Sequence, residues 1–365
     1  MNKKQETKGK VKMSNKEDYN DDNEYKFDNI EVDKDTHKKV KKKGGAGVKI
    51  YSVLITLLAG ALAGTTFFYY RRSNNEKKEV DTYTRIEESG NNEVKSIVKD
   101  YMENGKGTMA MLRELFPENI VVYASNKYSF LPVADNVPKN DIDNKNINNL
   151  ENGEIEYLKN DKVVSHKGID VSKYQGEIDW EKVAADGVEF AMIRIGYRGY
   201  GSGALVLDET ALNNLEGATK AGIKVGVYFF SQAISVKEAK EEAEFVMENI
   251  KKYKITYPVV FDTEDVLNED ARTEGLTSEE LTQIAIAFCN EISNGGYIPA
   301  IYANLRWYAL SLDMSQLGEY DKWYAYYDKE FYFPYKINIW QYTENGSVDG
   351  ITGNVDMNIS FKDYE

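Results

Sequence analysis

The chain has 365 residues, enough for one large domain or two ordinary ones, with 60 acidic against 46 basic side chains and a net charge of −14. That acidic balance argues against a broad nucleic-acid-binding surface. Its 1 cysteine allows no internal disulfide, and its 2 histidines, His37 and His166, both precede Lys167, so residues 167–365 hold neither a Ser-His-Asp or Cys-His arrangement nor a His-rich zinc site. An enzyme in that region must work with carboxylates.

Residues 1–47 are polar, rich in lysine and acid, and without hydrophobic period, which predicts a disordered, cytoplasmic tail. Residues 48–70 carry one charge, Lys49, and predict a transmembrane helix long enough for a hydrocarbon core of about 30 Å. The span closes on the interfacial aromatics Phe67, Phe68, Tyr69 and Tyr70. Lys38, Lys39, Lys41, Lys42, Lys43 and Lys49 bias the N-terminus to the cytoplasm, so the expectation is a single-pass protein of the cell membrane with its bulk outside. A cleavable signal peptide ending near Ala61-Leu62-Ala63 is the rival, and the long polar leader and the apolar continuation through Phe68 speak against it. Gly60 and Gly64 fit a small-residue pairing pattern, a weak pointer to a homodimer through this helix.

Residues 71–166 read as an extracellular stalk or small accessory module. A charged tether leads to a short amphipathic helix carrying Val94, Ile97, Val98 and Tyr101. Residues 118–133 look extended, residues 135–154 lack hydrophobic period, and residues 154–165 suit a hairpin turning at Asn160-Asp161. No chemistry is visible there.

From residue 167 to residue 365, extended apolar runs alternate with helical ones, the pattern of a parallel α/β architecture. Strands are expected at 168–172, 189–197, 224–231, 257–264, 299–304, 322–327, 338–342 and 354–359, with long helices only between the first five. Two helices begin on capping boxes, Ser235 with Glu238 and Thr277 with Glu280, and Gly295-Gly296 stops the second. Cys289 lies on that second helix as a small buried hydrophobe. The fold class is α/β: a modified TIM-like barrel of eight strands and about five helices, with its active site at the strand C-termini.

The chemistry gathers at Tyr257-Pro258-Val259-Val260-Phe261-Asp262-Thr263-Glu264, a buried strand running into two carboxylates. Side chains two apart on a strand share a face, which sets Asp262 and Glu264 about 6–7 Å apart at their attachment points. Paired acids on opposite sides of one glycosidic bond need spacing of that order. Alone, the octapeptide is equally well an acidic loop after a strand. Asp170 at the end of the first strand and Asp356 in the last, adjacent once a barrel closes, tip the balance. Four acids from three strands at one mouth repel and desolvate poorly, a cost that mere structure does not require.

Gly168-Ile169-Asp170-Val171-Ser172, Gln175-Gly176, Asp179-Trp180, Gly226-Val227-Tyr228-Phe229-Phe230, Pro258 through Glu264, Trp340-Gln341-Tyr342 and Gly353 through Asn358 together resemble the glycoside hydrolase family 25 lysozymes, the Chalaropsis-type muramidases. The resemblance runs from Lys167 to about Phe361. It implies hydrolysis of the β-1,4 bond between N-acetylmuramic acid and N-acetylglucosamine in peptidoglycan, with no metal and no cofactor. It implies that Glu264 is the general acid, that Asp262 is the acid beside the reacting sugar, and that Asp170 and Asp356 form the cleft floor. It also implies that Tyr228, Tyr302, Tyr327, Trp340 and Gln341 bind substrate, each with barrel packing as the alternative. Whether Asp262 attacks, activates water or positions the substrate's acetamido group stays open at this spacing. Arg194, inside a strand, is expected to pair with a carboxylate rather than touch glycan. A chitinase-type barrel lacks its run of alternating acids here, and a wall amidase lacks its ligands. A catalytically silent, lectin-like wall-binding barrel is the alternative from a different class.

Overall fold

The computed structural model describes residues 92–104, 107–266, 271–328 and 330–365. The expected tail (1–47), membrane span (48–70) and its pairing glycines, and the tether up to residue 91 lie outside the described residues. Among the described residues no helix is long and apolar enough to cross a membrane. These residues belong to two compact units that divide between Met111 and Leu112. In the first, residues 92–103 form α1, the expected amphipathic helix, and α2 (Thr108–Leu115) begins.

The second unit opens with a hairpin of β1 (Asn119–Ala124) and β2 (Lys127–Pro132). Its turn residues Ser125 and Asn126 both have positive φ, as a two-residue turn that matches strand twist requires. A three-stranded sheet follows, made of β3 (Ile147–Asn149), β4 (Ile155–Lys159) and β5 (Lys162–Val163). Its second hairpin turns at Asn160-Asp161, as expected from sequence, again with positive φ at both. Both pieces are fastened to the segment between two later strands. The Ala134 N–H donates to the Tyr335 hydroxyl at 2.8 Å, and Asn144 exchanges hydrogen bonds with the backbone of Phe331 at 3.0 and 2.8 Å.

The barrel proper contains, in chain order, β6 (His166–Val171), α3 (Trp180–Ala185), β7 (Phe190–Arg198), β8 (Leu205–Leu207), α4 (Ala211–Lys220), β9 (Lys224–Phe230), α5 (Val236–Ile250), β10 (Val259–Asp262), α6 (Ser278–Asn294), β11 (Pro299–Asn304), α7 (Leu305–Leu310), β12 (Asp321–Ala325), β13 (Ile339–Gly346) and β14 (Val355–Ser360). Strands pair in the order β6-β7-β9-β10-β11-β12-β13-β14 and close through β14 against β6, so all eight expected strands form one barrel. Seven run parallel, while β14 is antiparallel to both neighbours. The cause is the connection: β13 and β14 are joined by a short turn with no crossover helix, and a short turn can only reverse the chain.

Three features depart from the expected pattern. β8 folds back on β7 as an antiparallel flap outside the closed ring. The fifth helix, α7, is a six-residue turn directly after β11, in the part of the chain where no long helix was expected. Of the two expected capping boxes only that of α6 is complete; at α5, Glu238 accepts from the Ile234 N–H rather than from Ser235, because its carboxylate turns to meet Arg272 at 2.8 and 2.9 Å.

Alternation divides the side chains into two cores. Ile169, Ile193, Val227 and Phe261 face outward to the helices, where Leu215, Ala243, Val246 and Phe288 meet them. Phe190, Met192, Tyr257, Val260, Ala300, Tyr302 and Trp323 fill the interior. Phe190 and Tyr257 stack there with centroids 4.4 Å apart. Only glycine fits at position 168, since a Cβ there would lie 2.2 Å from the Phe190 ring.

Candidate active site

The interior positions at the C-terminal end of the parallel strands are polar. Asp170 follows interior Gly168 on β6, Asp262 follows Val260 on β10, Tyr302 follows Ala300 on β11 and Gln341 follows Ile339 on β13, each two residues on and therefore on the same face. Asp356, near the start of the reversed strand β14, reaches the same end and lies directly opposite Asp170 in register. Two carboxylates facing each other across neighbouring strands repel. Asp170, 4 % exposed, is therefore held by two amides: Gln341 Nε2 and Asn358 Nδ2 donate to its Oδ2 at 2.7 and 2.8 Å.

Each amide is itself oriented by aromatic donors. The hydroxyls of Tyr302 and Tyr327 donate to Gln341 Oε1 at 2.8 and 2.7 Å, and Trp323 Nε1 donates to Asn358 Oδ1 at 2.7 Å. With their oxygens occupied, both amides must turn N–H groups toward Asp170. Tyr302, Tyr327 and Gln341 thus lie at the mouth with the acids, where the sequence placed them.

Two tyrosines register how closely the acids converge. Burial raises the Tyr228 hydroxyl well above the usual tyrosine range; the Asp170 carboxylate raises it further, Arg194 opposes, and Asp262 and Asp356 add to the rise. Burial likewise raises Tyr302, with Tyr327, Glu264, Asp262 and Asp170 adding to it. Each of the four carboxylates therefore lies within electrostatic reach of one or both phenols: Asp170 and Asp262 act on both, Asp356 on Tyr228 and Glu264 on Tyr302. Asp262 is 4 % exposed, whereas Glu264, two residues beyond it, is partly open to solvent. Between them Thr263 turns away and accepts a hydrogen bond from Trp307 Nε1 at 3.0 Å, fixing α7 against the segment that carries both acids.

Arg194 pairs with a carboxylate as expected: its Nε and Nη2 reach Asp208 Oδ2 at 2.8 and 2.7 Å. Trp340 is a correction. It is fully buried in the outer core, edge-on to Phe331 at 5.2 Å, with Nε1 donating to the Tyr326 carbonyl at 2.7 Å. Its neighbours Ile339 and Gln341 point into the barrel, so strand alternation turns Trp340 away from the cleft. Asn358, Trp323, Thr263 and Trp307 were not read as parts of the site. Asn358 had a usable signal, lying two residues after Asp356 and so on the same face of the strand. Among the described residues no group of three or more carboxylate, thiol or imidazole side chains is placed to hold a metal ion.

The sequence profile of the glycosyl hydrolases family 25 matches residues 169–351, half of the chain. The chain belongs to that family. The profile covers Asp170, Asp262 and Glu264 while ending before Asp356. An autolytic lysozyme of Clostridium acetobutylicum is 27% identical over 197 residues, 52% of this chain and 54% of that protein. The uncharacterized protein YegX of Escherichia coli K12 is 28% identical over 204 residues, 53% of this chain and 68% of its own. The chain thus spans about half the length of the clostridial relative. The modular autolysin LytC of Streptococcus pneumoniae, solved with a synthetic peptidoglycan ligand, has a similar fold at a TM-score of 0.50 and 22% identity, over 66% of this chain and 56% of that one.

Proposed function

We propose that this chain hydrolyses the β-1,4 bond between N-acetylmuramic acid and N-acetylglucosamine in peptidoglycan glycan strands. The observation that carries the reading is the placement of Asp170, Asp262 and Asp356 at one end of a closed barrel, Asp356 in register with Asp170 and Glu264 two residues beyond Asp262. The clostridial autolytic lysozyme and the peptidoglycan-bound LytC make a wall glycan the substrate of choice.

In this reading Glu264, the most open of the pair at the end of β10, donates the proton to the leaving glycosidic oxygen. Buried Asp262 stands beside the anomeric carbon and stabilises the positive charge that develops there. Asp170 is fixed as an anion by its two amide donors and, with Asp356, adds negative potential beneath the sugar ring. Tyr228, Tyr302, Tyr327 and Gln341 shape the floor on which the sugar rests. The apolar span 48–70 tethers the hydrolase to the cell membrane with the barrel outside, where the wall lies, and pairs weakly with a second copy.

The test is release of reducing ends from purified peptidoglycan by the full chain and by Glu264→Gln. Loss of a general acid lowers turnover about 10²–10⁴-fold. The variant should keep its melting temperature and lose this activity, and undiminished hydrolysis by Glu264→Gln would refute the assignment.

A further inference from the structure

Residues 326–338 join β12 to β13, and among those of them that are described no helix or named strand forms. A connection of this length without secondary structure of its own is not rigid by itself. Yet it carries Tyr327, whose hydroxyl donates to Gln341 Oε1 at 2.7 Å and so helps to turn that amide toward Asp170. The fixed place of Tyr327 must therefore be supplied by whatever packs on the connection.

Residues 113–144, which precede the part of the chain matched by the family profile, do this from outside the barrel. Arg113, in the last turn of α2, sets its guanidinium over the Tyr332 ring at 3.7 Å from the centroid, and its Nη1 donates to the Tyr326 hydroxyl at 3.1 Å. One cation thus ties two points of the connection together, and one of them adjoins Tyr327. Further along, Asn144 exchanges its two hydrogen bonds with Phe331, and the Lys336 N–H donates to the Pro138 carbonyl at 2.8 Å. Ile120, Val122 and Val137 share one core with Tyr324, Tyr326 and Trp340, so apolar burial backs these polar contacts. Tyr326 extends the ladder of β12 by one residue, its N–H donating to the Gln341 carbonyl at 3.0 Å. Neighbouring side chains on a ladder leave by opposite faces, so holding the Tyr326 phenol outside sets where Tyr327 enters the mouth.

We propose that residues 113–144 are a positioning element of the hydrolase, in which Arg113 and Asn144 fasten the β12–β13 connection and so keep Tyr327 against Gln341 at the floor of the cleft. This rests on the glycan-hydrolase reading and goes beyond it, because it gives a part of the chain outside the family profile a share in turnover. Arg113 and Asn144 act through Tyr327.

The experiment measures kcat/KM for release of reducing ends by the full chain, by Arg113→Met, by Tyr327→Ala and by the double variant, with the melting temperature of each. Folded Arg113→Met should lose about fivefold, the weight of one hydrogen bond expressed as a rate. In the Tyr327→Ala background the same change should cost less than about twofold, since the side chain it positions is gone. A residue that only stabilises the fold would lower the melting temperature and leave both ratios near one. Undiminished kcat/KM in Arg113→Met, or losses that multiply in the double variant, overturns the positioning role while leaving the hydrolase intact. No hydrolysis by the parent overturns the hydrolase reading and the positioning role with it. If Arg113→Met fails to fold, Asn144→Ala is measured against Tyr327→Ala and decides by the same ratios.

Discussion

The anchoring of Asp170 by Asn358 can be tested by replacing the asparagine with leucine, which keeps its branched outline and number of heavy atoms and removes its polarity. Asn358 is fully buried, donates to Asp170 at 2.8 Å and accepts from Trp323 Nε1 at 2.7 Å. Asn358→Leu therefore loses a hydrogen bond to a charged group, worth about 1.5–3 kcal/mol, and strands a buried indole N–H at a further cost of about 1–3 kcal/mol. The expected destabilisation is about 3–5 kcal/mol in denaturant titration, with a fall in reducing-end release because Asp170 keeps one amide instead of two. Trp323→Phe strands Asn358 Oδ1 in the same way. In the double variant neither partner is stranded, so the two single losses should overshoot the double by about 2 kcal/mol. Additivity within about 0.5 kcal/mol would show that the relay from Trp323 through Asn358 does not hold Asp170.

Lys322 is 4 % exposed and donates to the carbonyls of Leu317 and Tyr320, and burial pushes its ammonium down to about 8. A lysine depressed in the folded state binds its proton more weakly there than in the unfolded chain, so stability should rise as pH climbs from about 8 toward 10.5, by about 3 kcal/mol in all. The pH dependence of wild type minus Lys322→Met between pH 8 and 10, below most tyrosine ionisation, should show this rise, and a flat difference would contradict it. Trp340→Phe, which removes the donor to the Tyr326 carbonyl, should cost about 1–3 kcal/mol of stability yet leave kcat/KM within about twofold. A large rise in KM would return Trp340 to the cleft.

The barrel was legible because its strands are short apolar runs set off by helix caps, and because Asp170, Asp262 and Asp356 break those runs at one end. Less visible were elements whose reasons lie in the tertiary structure. α4 was expected between its strands but its bounds were not legible, because Thr210 makes no side-chain cap and the buried face includes Asn214 beside Ala211, Leu215 and Ala218. β8 offers three half-buried residues and exists only as a partner for β7. Trp340 misled because an aromatic at a strand end reads alike whichever way it faces, and only the register with Gln341 decides. The relays through Asn358 and Thr263 are pairings across the barrel, which a linear reading cannot count.

The reversed last strand carries an implication for biogenesis. Because β14 is the staple between β6 and β13, the ring stays open on the ribosome until residues 355–360 have emerged. Asp356 and the Asn358 clasp on Asp170 arrive with that same segment. A chain from which these residues have not yet emerged would hold Asp262 and Glu264 yet lack their counterparts, so the set of four carboxylates is completed only by the strand that closes the ring.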